Sequence, residues 1–324
     1  MHLGLDISKR YFDATLLTGE NEKHYCQFEN SPKGIQALLK WLTSHGVKQL
    51  HACMEATNTY WEEVADALRI AGYEVSVVNP ARIKGFAMSQ MRRNKNDKLD
   101  SDVIVEFCAQ MKPALWTPLT PSQRKLRNLV RHRDGLQKSL TQQLNRLANT
   151  QDEEVSASLH KIIQTLKDEL SQLEQRIDQF IDADAQLQED KALIASIPGV
   201  GEITAHKFLS EMPDLARYQS ASAAAADVGV TPSHHESGDT VRHRPRISKM
   251  GKSSIRAILY WPAITAIRHN PLIAAFAARL AARGKPKMVI IVAVMRKLVH
   301  LIYGVLKNRT PFDPNYGQLH PLPT

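Results

Sequence analysis

Over the first hundred residues, apolar positions come in short runs and alternations broken by polar turns. His2 to Ile7, Phe12 to Leu17, His24 to Phe28, Gln49 to Met54 and Glu74 to Val78 are accordingly predicted as strands. Gly34 to Ser44 and Trp61 to Ala71 carry the three- and four-residue spacing of amphipathic helices. Three strands in close succession, followed by strand–helix alternation, predict a mixed sheet in which an antiparallel meander is continued by parallel crossovers. The first strand is then expected at the centre of the sheet.

From Pro121 the period lengthens. Leu126, Leu129, Val130, Leu136, Leu140, Leu144 and Leu147 form one apolar stripe, and a polar interruption is expected at Gln151 to Ser158. A second stripe, Leu159, Ile162, Leu166, Leu170, Leu173, Ile177 and Phe180, keeps alternating three- and four-residue steps with charges between them. This predicts a helical hairpin or coiled-coil arm, against the alternative of an ordinary amphipathic helix packed on its own domain. The expected division is 1–152, 153–185 and 186–324, an α/β region, a coiled-coil segment and a mainly helical region.

The chain has 324 residues, enough for two domains with sizeable cores. Its formal net charge of +9 favours a polyanionic partner, and an aromatic content of 6% argues against a surface that works mainly by stacking single-stranded bases. Cys26, Cys53 and Cys108 are odd in number and contain no C-x-x-C pair, so neither a disulfide framework nor a zinc site is expected and a reducing cytosol fits. Nothing at the N-terminus has the pattern of a signal peptide. The apolar run from Met288 to Met295 stops at Arg296 and Lys297, short of the roughly 20 residues that span a bilayer, so no membrane partner is expected.

Against this background four acids stand out. Asp6 lies in the strand-like Leu3-Gly4-Leu5-Asp6-Ile7, and Glu55 follows the strand-like Ala52-Cys53-Met54 at its carboxyl end, where open α/β sheets place their sites. Asp97 and Asp100, three apart, share one helix face. Oxygen donors of this kind suit a hard divalent cation, Mg²⁺ or alternatively Mn²⁺. On a basic chain the set points to metal-assisted chemistry on nucleic-acid phosphates.

Two further segments belong to that chemistry. Ile197-Pro198-Gly199-Val200-Gly201, between helical stretches, is similar to a helix-hairpin-helix turn whose Gly199 and Gly201 let backbone amides meet phosphate; a plain turn between core helices is the alternative. Between Val230 and Ile255, Arg242, Arg244, Arg246, Lys249 and Lys252 form a candidate phosphate clamp. Ser237, between Glu236 and Gly238, is either a nucleophile awaiting activation or a turn residue. Gly251-Lys252-Ser253 is not a phosphate-binding loop, because Arg246 occupies the position of the required glycine, and adjacent His234 and His235 are not spaced for zinc.

Leu3-Gly4-Leu5-Asp6, Met54-Glu55-Ala56-Thr57 with Tyr60, Asn79-Pro80, Asn94-Lys95-Asn96-Asp97 with Asp100, Ile197 to Gly201, Gly229-Val230-Thr231-Pro232, Glu236-Ser237-Gly238 and Tyr303-Gly304-Val305-Leu306-Lys307 occur in that order. The series resembles the DEDD transposases of insertion-sequence family 110, the bridge-RNA-guided recombinases, over nearly the whole chain. The resemblance implies a RuvC-like, ribonuclease-H-type domain with Asp6, Glu55, Asp97 and Asp100 as catalytic metal ligands, and a C-terminal transposase domain with Ser237 as nucleophile. It further implies 5′-phosphoserine links to DNA, a structured noncoding RNA pairing with donor and target DNA, sites composed from different protomers of a dimer or tetramer, and a prokaryotic cytoplasm with the protein on the nucleoid when DNA-bound. The competing expectations are a metal-dependent nuclease or Holliday-junction resolvase in which water attacks, and a noncatalytic nucleic-acid-binding scaffold.

Overall fold

Five segments of the first 80 residues extend into strands: β1 (His2–Ile7), β2 (Tyr11–Leu17), β3 (Lys23–Glu29), β4 (His51–Glu55) and β5 (Glu74–Val78). The computed structural model describes residues 1–19, 22–56, 59–90, 97–233, 236–237, 241–242 and 246–315, and for 97–99, 217, 236–237 and 241–242 the backbone alone. The strands form one sheet in the order β3-β2-β1-β4-β5, antiparallel on the β2 and β3 side and parallel on the β4 and β5 side. This is the mixed sheet of ribonuclease-H-like folds, with β1 central as the sequence pattern requires.

The two faces of the sheet are chemically different. Leu3, Leu5, Ile7, Phe12, Ala14, Leu16 and Met54 lie in one apolar core with α1 (Pro32–Ser44) and α2 (Glu62–Ile70). Ser31 caps α1 by accepting from the Gly34 amide at 3.3 Å, and Pro32 supplies the fixed φ of a first helical residue. Residues of the opposite parity, Gly4, Asp6, Asp13, Thr15, Cys53 and Glu55, share the other face. There α3 (Pro80–Ser89) and α4 (Asp97–Met111) close a smaller core of Cys53, Val78, Ile83, Val103, Ile104, Phe107 and Cys108. Asn79 explains its place before Pro80 by capping α3 through the Ala81 amide at 2.9 Å.

These elements make a compact unit, Met1–Pro118; Leu119–Thr324 is a second. The second opens with α5 (Pro121–Ala148), started by a reciprocal Thr120–Gln123 capping box, and α6 (Glu153–Asp182), capped by Asp152. They pack as the expected helical hairpin, with two corrections. The interruption is confined to residues 149–152, and Glu153 to Ser158 are helical because Asp152 satisfies the Val155 amide at 2.9 Å. The buried row also shifts by one: Ile163 is buried and Ile162 is exposed, and Ile181 is buried where Phe180 is only partly covered.

The remainder consists of α7 (Ala185–Ala195), α8 (Glu202–Glu211), α9 (Ala221–Val228), four two-residue strands β6 (Pro232–Ser233), β7 (Glu236–Ser237), β8 (Val241–Arg242) and β9 (Arg246–Ile247), then α10 (Ser253–Ile258), α11 (Tyr260–His269), α12 (Pro271–Ala282) and α13 (Lys287–Asn308). At 22 residues α13 is long and apolar enough to cross a membrane, since the helix continues past Arg296 and Lys297. Its row Ile291, Val294, Met295, Leu298, Val299, Ile302, Val305 and Leu306 is instead the centre of the second unit's core.

Candidate active site

The acids of the first unit are positioned by strand register and by one glycine. Gly4 pairs with Cys53 and Leu5 with Met54 across the parallel ladder, and one further residue sets Asp6 beside Glu55 at the carboxyl ends of β1 and β4. Both are half-buried. A Cβ on Gly4 would lie 2.3 Å from the Ser101 carbonyl oxygen and 2.4 Å from the Val105 amide nitrogen, so α4 rests on the backbone of β1. Asp100, also half-buried, immediately precedes Ser101, and the residues four and eight beyond it, Ile104 and Cys108, are fully buried. Asp97 is the first residue of α4, one turn before Ser101; its side chain lies outside the described residues.

Asp102 does not join this row. It accepts from Thr15 Oγ1 at 2.9 Å and pairs with Lys23 Nζ at 3.5 Å, while Thr15 Oγ1 also bonds Ser101 Oγ at 2.9 Å. Asp102 therefore fastens α4 to β2 and β3. Sequence reasoning passed over Asp13, which pairs with Asp6 across the antiparallel ladder and is buried at 5% exposure. Tyr25 Oη donates to Asp13 Oδ1, and Gln27 Nε2 donates to the same oxygen at 3.2 Å. On the same face Cys53 and Cys108 are fully buried and belong to the smaller core, and hydrogen bonding to Cys108 and burial push the Cys53 thiol up.

Among the described residues no three His, Cys, Asp or Glu side chains are close enough to hold a metal. With Asp97 outside that description, the test is the chemistry of the donor set. Asp6 and Glu55 on the sheet face and Asp100 near the start of α4 do not by themselves close into such a group, but all three offer only carboxylate oxygens, which fits a hard divalent cation and not a soft one.

In the second unit Ser237 lies in a nested hairpin and not in an irregular loop. Pro232 pairs with Ile247 and Ser233 with Arg246; inside them Glu236 pairs with Arg242 and Ser237 with Val241. Two-residue strands leave no alternation to read, which is why the pattern missed them. Close backbone contacts tie the stem: Gly229 ends α9 at φ +76°, and a Cβ on Gly251, at φ +131°, would sit 1.9 Å from the Asp227 carbonyl oxygen. Lys252 N donates to that carbonyl at 2.8 Å, and Ser248 N donates to Thr231 O at 3.0 Å. Tyr218 Oη donates to Asp227 Oδ2 at 2.6 Å and Tyr303 Oη to Tyr218 O at 3.0 Å, so the Tyr303 motif of α13 buttresses the hairpin.

The expected cations divide. Arg246 and Lys249 are exposed, whereas Lys252 Nζ lies 4.0 Å from Asp227 Oδ2. The side chain of Arg242 and the whole of Arg244 lie outside the described residues, as do the side chain of Ser237 and residues 238–240. Gly199, at φ +97°, has the backbone of Ala266 2.6 Å from where a Cβ would be, so close packing on α11 already requires glycine there. Gly201 is exposed and begins α8 with no side-chain cap.

A DEDD transposase family model matches residues 3–155, and a model described as transposase IS116/IS110/IS902 family matches 191–278. The chain belongs to the IS110 family of transposases. It is 32% identical over 319 residues to the pilin gene-inverting protein of Moraxella bovis, covering 96% of this chain and 97% of the relative. The pilin gene-inverting protein of Moraxella lacunata is similar to the same degree, 32% over 319 residues. The transposase for insertion sequence element IS1111A of Coxiella burnetii is 24% identical over 296 residues, covering 82% of this chain and 78% of the relative. Family membership makes the protein an enzyme of DNA recombination, and its DEDD domain implies a divalent metal.

Proposed function

We propose that the protein cuts and rejoins donor and target DNA through a 5′-phosphoserine on Ser237, with Asp6, Glu55, Asp97 and Asp100 as the metal-holding acids and a structured noncoding RNA selecting the DNA. The observation that carries this reading is the alignment of Asp6 with Glu55 on the face against which the N-terminal half of α4 packs. Mg²⁺ or Mn²⁺ bound there supplies polarisation of the scissile phosphate and compensation of its charge.

The chain's own groups do the rest. Ser237 Oγ attacks phosphorus as the bond to the 3′ oxygen breaks, and the proton given up by the serine is matched by one taken up by the leaving oxygen, which departs as a 3′ hydroxyl. Phosphodiester energy is kept in the serine ester, so a 3′ hydroxyl of the partner DNA reverses the step without ATP. Arg242, Arg244 and Arg246 stabilise charge on the five-coordinate phosphorus, and Gly199, Gly201, Lys249 and Lys252 hold flanking backbone. The inverting role of the Moraxella relatives supports joining of two DNA sites over cutting alone. The acids and the serine lie in separate compact units, which fits sites assembled from different protomers of an oligomer. The division into 1–152, 153–185 and 186–324 belongs to this same reading.

The test is incubation of protein, Mg²⁺ and end-labelled donor and target DNA, with and without RNA transcribed from the flanks of the gene, followed by denaturing electrophoresis before and after protease. An RNA-dependent, protease-sensitive DNA adduct that disappears in Ser237→Ala and in Asp6→Asn is expected. Free 5′-phosphate ends that persist in Ser237→Ala would replace this reading with hydrolysis by a resolvase-like nuclease.

A further inference from the structure

Charge is distributed along the chain with an asymmetry that the serine hairpin does not exhaust. Between Asp239 and Asp313 the sequence has no Asp or Glu and fifteen Lys and Arg. Some of these cations are engaged: Lys252 with Asp227, Arg256 with the Val228 carbonyl, and Arg309 with Glu189 and Asp190. Four are not. Arg279 and Arg283, one turn apart at the end of α12, and Lys285 and Lys287, at the start of α13, are all exposed, and none makes an ion pair or side-chain hydrogen bond among the described residues.

The local backbone gathers them at one corner. Gly284 takes φ +69°, its amide donates to Ala281 O at 2.8 Å, and the Lys285 amide donates to Leu280 O at 3.1 Å. This left-handed termination turns the chain sharply, so the last turn of α12 and the first of α13 are neighbours. Every residue from Ala281 to Val289 is exposed, Met288 and Val289 included. These cations repel one another within the protein. Arg279 and Arg283 are like charges at i, i+4, a repulsion that the C-terminal end of the α12 dipole offsets only in part. Lys285 and Lys287 stand at the N-terminal end of a 22-residue helix whose first turn has no acid, where its dipole opposes cations. An external anion relieves both.

We infer that the α12–α13 corner, comprising Arg279, Arg283, Lys285 and Lys287, is a nucleic-acid phosphate-backbone site distinct from the Ser237 hairpin. It begins one residue beyond the family match at 278. The inference rests on the nucleic-acid reading above and deepens it. With no acid and no ordered polar partner to read base edges, the corner positions a duplex by its backbone and adds affinity without sequence preference.

The experiment measures binding of the full chain to a labelled random-sequence DNA duplex and to a labelled RNA hairpin by anisotropy, from about 50 to 200 mM salt. The variant carries Arg279→Gln, Arg283→Gln, Lys285→Gln and Lys287→Gln together, with a charge-keeping control of Arg279→Lys, Arg283→Lys, Lys285→Arg and Lys287→Arg. Each lost phosphate contact removes about 0.9 from the slope of log K against log salt on duplex DNA, so a fall of roughly 3 to 4 is expected, and the control keeps the wild-type slope. A fall on the DNA probe assigns the corner to DNA phosphates, and a fall confined to the RNA probe assigns it to RNA phosphates. Wild-type slopes on both probes in the glutamine variant would overturn this site and leave the proposed function standing, whereas no binding by the wild-type chain would overturn both.

Discussion

Gly4 and Ser101 approach until no side chain fits between them, with 2.3 Å separating the Ser101 carbonyl oxygen from the position of a Gly4 Cβ. A helix lying directly on a strand keeps the residue before Ser101, Asp100, close to the plane of the sheet that carries Asp6 and Glu55. Gly4→Ala must push α4 away, because the opposing atoms are backbone and have no rotamer by which to yield. The expected result is a loss of about 1–3 kcal/mol in stability together with loss of metal-dependent DNA cleavage. Urea unfolding and the cleavage assay check the two parts separately.

Asp13 is a carboxylate almost without solvent, directly across from Asp6. Asp13→Ala removes the hydrogen bonds from Tyr25 Oη and Gln27 Nε2, but both donors are on exposed residues and can turn to water, so the expected cost is about 0.5–1.5 kcal/mol per bond. Tyr25→Phe removes one donor and leaves the other, so it should cost less. Comparing the urea midpoints of the two variants tests this order.

In the second unit, Arg131 grips both oxygens of Glu211 at 2.8 and 2.9 Å, and Lys207, 4% exposed, lies 2.5 Å from Asp134 and 3.5 Å from Glu211. Burial pushes the Glu211 carboxyl up, but the bonds and charge of Arg131 and Lys207 outweigh it and hold the group below the usual carboxylate range. Its stabilisation is thus present above the unfolded value of 4.5 and lost as pH falls through the lower folded value. Glu211→Ala leaves buried Lys207 with Asp134 alone, so the expected cost at neutral pH stays below the roughly 3–5 kcal/mol of an uncompensated buried charge. Thermal or urea melts of the variant measure it.

His300 behaves with the opposite chemistry and the same sign. Burial, then the charges of Arg296 and Lys297, hold its imidazole below 6.5, and its Nε2 is buried without a hydrogen-bond partner among the described residues. The unfolded chain therefore binds the proton first, and stability falls as pH drops below 6.5 toward the folded value. In His300→Leu this part of the pH dependence should vanish. Urea midpoints measured at about pH 7.5 and about pH 5 should differ less in the variant than in the wild type.

How much was legible follows from where the physical signal sits. Strand limits were readable because His2–Ile7 and Glu74–Val78 carry their periods locally, and Asp6 beside Glu55 follows from strand order alone. Asp13 was not legible, since an acid within a strand looks like a solvent-facing residue until Tyr25 and Gln27 arrive from β3 to bury and bond it. On α6, Ile162 and Ile163 are both apolar, and only the partner helix decides which is covered. The Ser237 hairpin depends on pairing between residues as far apart as Pro232 and Ile247, stabilised by glycines whose need appears only in backbone contacts. The resemblance to known transposases supplied the family, which no local pattern carries.

Each compact unit has a hydrophobic core of its own, one around Leu5 and Phe12, the other around α13. Cooperativity follows continuous burial, so each core is a unit of protection in its own right. A lesion among the acids should register first as lost amide-exchange protection in β1 and β4, and a lesion near the serine as lost protection in α9 and α13.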